Sequence, residues 1–134
     1  MAPKISLTKR YPLPALHQLK NEDFSMEKNL RIFGSCSRLH GHGYEIEVTV
    51  SGSADPKTGM LISRDELDRI VGEHILKPYT GANLSIHFVH TTGEALAHEF
   101  YRLLRLKLPG SVSLSTLTVN ETAKNSFTVR EDRS

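Results

Sequence analysis

The chain has 134 residues, 38% of them hydrophobic and 24% charged, with a formal net charge of +2. That length and apolar share fit a single domain over 1–134 and exclude a disordered chain, which carries fewer apolar residues and more net charge. With 17 Lys plus Arg against 15 Asp plus Glu there is no strongly basic stripe for nucleic acid, and no apolar run approaches the ~18 residues of a membrane span. The first residues, MAPKISLTKRYPLP, have no apolar signal core, and one cysteine excludes an internal disulfide framework. The expectation is a cytoplasmic protein in a reducing compartment.

In chain order, residues 4–9 alternate Ile5 and Leu7 with polar residues and read as a strand. Pro12 and Pro14 follow, so pairing there is interrupted or lies at a sheet edge. Residues 21–31 are polar and charged, a surface insertion. Residues 44–51 form the clearest strand, with Ile46, Val48 and Val50 on one face and Glu45, Glu47 and Thr49 on the other. Asp55-Pro56-Lys57-Thr58-Gly59 is a turn. Ser63 and Glu66 have capping-box spacing, and Leu67, Ile70, Val71 and Ile75 recur at helical intervals until Pro78, which is expected to end the helix. A second helix starts at Thr91 or Thr92 and buries Leu96, Ala97, Phe100, Leu103 and Leu104, ending at Pro109-Gly110. Val112 and Leu114 alternate in one phase and Leu117 and Val119 in the other, which predicts a bulge near Ser115 or Thr116. A last strand covers about 126–130. The order strand, strand, helix, helix, strand, strand is that of an α+β layer with the helices on one sheet face.

The chemistry concentrates in Cys36-Ser37-Arg38-Leu39-His40-Gly41-His42-Gly43-Tyr44. Side chains two apart on a strand share a face, so His40 and His42 can share a metal ion. A third ligand is needed, and spacing alone does not choose among His17, His74, His87, His90 and His98. Three imidazoles with a fourth position open make a catalytic zinc arrangement; imidazoles also accept other divalent ions. Cys36 is by default a small buried apolar residue; near a metal and Arg38 it becomes a candidate thiolate. Glu121 closes an apolar strand, where a carboxylate can accept two hydrogen bonds from an amino-heterocycle.

These segments, in order, resemble the family of 6-pyruvoyl- and 6-carboxy-tetrahydropterin synthases. The likeness runs through Ala15-Leu16-His17-Gln18-Leu19, Phe33-Gly34-Ser35-Cys36, Leu39-His40-Gly41-His42-Gly43-Tyr44 and Asp55-Pro56-Lys57-Thr58-Gly59-Met60. It continues through Lys77-Pro78, Asn83-Leu84, Thr92-Gly93-Glu94-Ala95-Leu96-Ala97 and Glu121-Thr122. The resemblance implies the tunnelling fold (T-fold): a four-stranded antiparallel sheet with two helices on one face. Trimers close it into a barrel, two trimers stack as a hexamer, and the sites lie between subunits. It implies that His17, His40 and His42 bind Zn2+, that Cys36 is the base, and that Glu121 anchors a pterin ring with Thr92 nearby. The implied substrate is 7,8-dihydroneopterin triphosphate. The spacing of Cys36 to His40 resembles the 6-carboxy branch, and the Phe-Gly-x-Cys segment the pyruvoyl branch, so the pathway (biopterin, queuosine or folate) stays open.

One stretch departs from the family. An Asp-His pair that works with the cysteine is expected where Thr80-Gly81 stand. Neither residue relays protons as that pair would. His87 or His90 is a candidate substitute. Three readings follow: a zinc-dependent pterin lyase, a pterin binder with redirected or lost catalysis, and a zinc hydrolase of another substrate.

Overall fold

The computed structural model describes residues 3–131. In chain order the elements are β1 (Ile5–His17), α1 (Met26–Phe33), a 3-10 turn (Gly34–Ser37), β2 (His40–Gly52), α2 (Arg64–Val71), α3 (Lys77–Tyr79), α4 (Leu84–His87), α5 (Gly93–Lys107), β3 (Val112–Asn120) and β4 (Ser126–Arg130). The four strands lie in sequence order, β1-β2-β3-β4, and every pairing is antiparallel. This is the α+β architecture expected.

β1 runs unbroken through both prolines. Leu16 N–H points away from β2 and donates to Ala82 O at 2.9 Å, so the even-numbered residues of β1 turn their backbone outward. Pro12 and Pro14 share that parity, and their missing N–H groups cost no ladder bond with β2. β1 is an edge strand, the second of the two placements the prolines permit.

The predicted bulge is present. Thr49 pairs with Thr116 and Val50 with Leu114, leaving Ser115 unpaired. The extra residue lets Leu114 and Leu117 both face inward. Tyr11, Leu13, Ile46, Val48, Val50, Leu114, Leu117 and Val119 cover one sheet face, against Leu67, Ile70, Ile75, Leu96, Phe100 and Leu104 from the helices. Each fully buried aliphatic or Phe side chain contributes roughly 1.5–3 kcal/mol. The opposite face carries hydroxyl pairs, Thr8 with Thr49 at 2.7 Å and Thr118 with Thr128 at 2.8 Å, and the Arg10–Glu47 ion pair at 2.9 Å.

Pro78 does not end its helix. α2 continues through a π-helical turn, Gly72–Leu76, into α3. A proline ring clashes with the carbonyl four residues back in a regular helix. The widened turn immediately before Pro78 relieves that clash, and the chain leaves helical geometry only at Thr80. The segment read as a surface insertion is on the surface but contains α1, capped by Ser25 Oγ accepting from Lys28 N–H at 3.1 Å and burying no residue.

α5 begins where expected, with Thr92 Oγ1 capping Ala95 N–H at 3.2 Å. Its first residue, Gly93, has a reason invisible in the sequence. A Cβ there would lie 2.0 Å from the Phe127 ring of β4. The helix start and the edge strand touch through that missing side chain.

Candidate metal centre

β1 and β2 meet at His17, which pairs directly with His40, while Ala15 pairs with His42. All three imidazoles leave the helix-covered face at one end of the sheet. Their ring centroids are 4.5 Å (His17–His40), 5.0 Å (His17–His42) and 4.8 Å (His40–His42) apart. Their ligand nitrogens all lie within 4.8 Å of one another, the one group of three His, Cys, Asp or Glu among the described residues that could hold a metal ion. The structure therefore brings His17 to the His40–His42 pair. His74 lies in the π-helical turn and His98 is exposed on α5.

The outer nitrogens explain the orientation of the rings. His17 Nδ1–H donates to Thr91 O at 2.7 Å, and His40 Nδ1–H donates to Arg38 O at 2.7 Å. A carbonyl only accepts, so each Nδ1 carries the proton and each Nε2 keeps a free lone pair. Both of these Nε2 atoms are buried and have no partner. Buried polar atoms are almost always hydrogen-bonded, so two orphaned acceptors turned toward one point mark a place for a cation. His17 is 1% exposed, and burial holds its pKa below the ordinary 6.5, which favours the neutral, ligating imidazole. Imidazole donors fit zinc and the neighbouring transition metals, and three protein donors leave a position for a substrate oxygen.

Cys36, half-buried, sits in the 3-10 turn Gly34–Ser37. The residues after His17 hold that turn: Leu19 N–H donates to Cys36 O at 2.8 Å and Gln18 Nε2 to Ser37 O at 2.7 Å. Glu121 opens the turn between β3 and β4, its N–H donating to Asn125 O at 3.0 Å. Tyr44 reports on both groups. Burial, followed by the nearby acidic side chains of Glu121 and Cys36, pushes its hydroxyl pKa up. Glu121 also acts on His17, in the opposite sense to burial. Imidazoles, thiol and carboxylate thus share one electrostatic neighbourhood. Thr92 is a helix cap and lines a groove on α5 with His87, His90, His98 and Arg102.

Thr80 and Gly81 are fastened beside the centre. Gly81 N–H donates to Pro14 O at 2.7 Å, and Asn83 bridges Leu16, the neighbour of His17. Gly81 has φ +74°, a conformation in which glycine is at ease and other residues are strained. His87 and His90 are exposed; the His87 ring rests on Tyr79 with centroids 5.3 Å apart. Sequence reasoning passed over Thr91, Gln18 and Tyr44. Only Tyr44 had a signal, since it shares strand parity with His40 and His42.

No helix among the described residues is long and apolar enough to cross a membrane. Among known proteins, the chain is 35% identical over 135 residues to a 6-pyruvoyl tetrahydrobiopterin synthase of Drosophila melanogaster, covering 96% of this chain and 80% of the relative. It is 34% identical over 126 residues to the human protein of that name, covering 89% and 86%. The solved 6-pyruvoyl tetrahydropterin synthase of Caenorhabditis elegans superposes with a TM-score of 0.88 at 26% identity, over 98% of each chain. The family model described as 6-pyruvoyl tetrahydropterin synthase matches residues 6–132. By sequence and by fold, this chain belongs to the 6-pyruvoyl tetrahydropterin synthase family.

Proposed function

We propose that the protein is a zinc-dependent lyase acting on 7,8-dihydroneopterin triphosphate or a close pterin, eliminating triphosphate and rearranging the side chain. The observation that carries this reading is the pair of buried, unpartnered Nε2 atoms on His17 and His40, with His42 completing the set. In this reading His17, His40 and His42 hold the ion, which when bound supplies a Lewis acid toward the side-chain hydroxyls of the substrate. Glu121 accepts hydrogen bonds from the amino-pyrimidine part of the ring, and Thr92 adds a polar contact. Cys36, as thiolate, takes a proton from the substrate side chain; triphosphate then leaves as the carbonyl develops. The names of the relatives favour the pyruvoyl product over the carboxy product. We place the enzyme in the cytoplasm as a homo-oligomer, a trimer or hexamer with sites shared between subunits. Support comes from the two outer strands, β1 and β4, whose outer edges meet no further strand of the sheet among the described residues.

The test is direct. Purified zinc-loaded protein should release inorganic triphosphate from dihydroneopterin triphosphate, and Cys36→Ala should abolish release. Zinc-loaded protein that turns over no dihydropterin defeats the reading. Product formation that needs water and survives Cys36→Ala would instead favour a zinc hydrolase.

A second reading is favoured by Thr80-Gly81: a pterin-binding homologue with redirected or lost catalysis. It predicts tight pterin binding, weakened by Glu121→Ala, without product. Full wild-type activity that Thr80→Asp with Gly81→His leaves unchanged would exclude it.

A further inference from the structure

Tyr44 stands two residues beyond His42 on the same face of β2 and is 1% exposed. A phenylalanine would fill that volume without burying a hydroxyl, and a buried hydroxyl is costly unless it is bonded. The Tyr44 oxygen meets His17 Nδ1 at 3.1 Å. That nitrogen already donates to Thr91 O at 2.7 Å, so it carries the proton and the phenol oxygen accepts from the same N–H. The Tyr44 ring also meets two ligand candidates edge-on. Its centroid is 5.8 Å from that of His17, at 86° between planes, and 5.3 Å from that of His42, at 66°.

We infer that Tyr44 is a positioning residue of the metal centre. Its hydroxyl holds His17 in the Nδ1–H tautomer and its ring wedges His17 and His42 into the rotation that directs their lone pairs inward. The inference rests on the metal-centre reading above. The other partner of His17 Nδ1 is a backbone carbonyl, which no substitution at Thr91 removes. Tyr44 is therefore the side chain through which the hydrogen bonding of His17 can be altered.

The experiment compares full-length wild type and Tyr44→Phe in Zn2+ and Co2+ affinity, by competition with a chromogenic chelator, and in the visible absorption of the Co2+ form. Loss of a partner that orients a ligating imidazole typically weakens metal binding about 10–100-fold. With Thr91 O retained, the expected loss is about tenfold, with a changed Co2+ spectrum. Equal affinity and an identical spectrum overturn the inference while leaving the metal centre standing. A wild type that binds neither ion overturns the metal centre itself. Should Tyr44→Phe not fold, nitrogen NMR of metal-free wild type decides. The His17 proton must reside on Nδ1 and correlate with the Tyr44 ring, and a proton on Nε2 refutes the proposal.

Discussion

Gly93→Ala tests the contact between the start of α5 and β4. The new Cβ would lie 2.0 Å and 2.1 Å from two carbons of the Phe127 ring. Carbon atoms sit comfortably at about 3.5–4.0 Å, so ring and helix must separate by roughly 1.5 Å. Overpacking of this kind costs about 1–3 kcal/mol. Alanine recovers up to ~1 kcal/mol of helix propensity over glycine. The net loss should be about 1–2 kcal/mol, or roughly 3–6 °C in Tm for a chain of this size. Phe127 lies on β4, an edge strand of 5 residues whose one strand partner among the described residues is β3, so the strain should spread into the turn that carries Glu121. The assay is a double-mutant cycle by thermal or urea denaturation. In a Phe127→Ala background the obstacle is gone and Gly93→Ala should stabilise by up to ~1 kcal/mol. An equal loss in both backgrounds refutes the reasoning.

Zinc at a hundredfold over its Kd should stabilise the folded protein by about 2.7 kcal/mol, near 8 °C in Tm, and His40→Ala should abolish the shift; an unchanged melt argues against the centre. Burial lowers the His17 pKa below 6.5, so as pH falls the unfolded chain takes that proton first. Metal-free protein should keep this contribution above pH 6.5 and lose it as pH drops through the folded-state value, a step that His17→Ala removes; a flat profile there refutes it. Hydrogen bonds from Lys9 and Tyr11 lower the Asp68 pKa, so its contribution should vanish only at more acid pH, below the ordinary 3.8, and Asp68→Asn should erase that later step in Tm. Gly81→His must adopt φ +74° with open space around its Cβ, so it should cost about 1–2 kcal/mol in denaturation while adding an imidazole beside the centre.

Periodicity carried most of the fold. The phase change between Val112–Leu114 and Leu117–Val119 announced the bulge, because strand parity has only two values and a switch needs one extra residue. Proline was harder to read. At Pro78 the expected stop failed because the helix widened by one residue beforehand, a backbone adjustment with no local signature. α1 was hidden because its short apolar stripe, Met26, Leu30 and Phe33, lies within a charged and polar stretch and buries nothing, so composition there reads as plain surface. At the site, strand parity identified His40 and His42 as neighbours. The choice of His17 is a matter of register across β1 and β2, which one strand alone does not disclose. The carbonyls of Arg38 and Thr91 that orient the rings are main-chain atoms and leave no trace in residue identity.

The outward edge of β1 is divided in two. From Pro12 onward it offers no free donor, because Pro12 and Pro14 lack N–H groups and Leu16 N–H is taken by Ala82. Upstream, Ser6, Thr8 and Arg10 share the outward parity and keep their N–H groups. A strand that extends this sheet can therefore pair only along that upstream window, which matches the 5 residues of β4 on the far side. The prolines act as a ruler: they fix where an added strand must stop, and so deny the sheet the long, uninterrupted edge on which indiscriminate stacking depends.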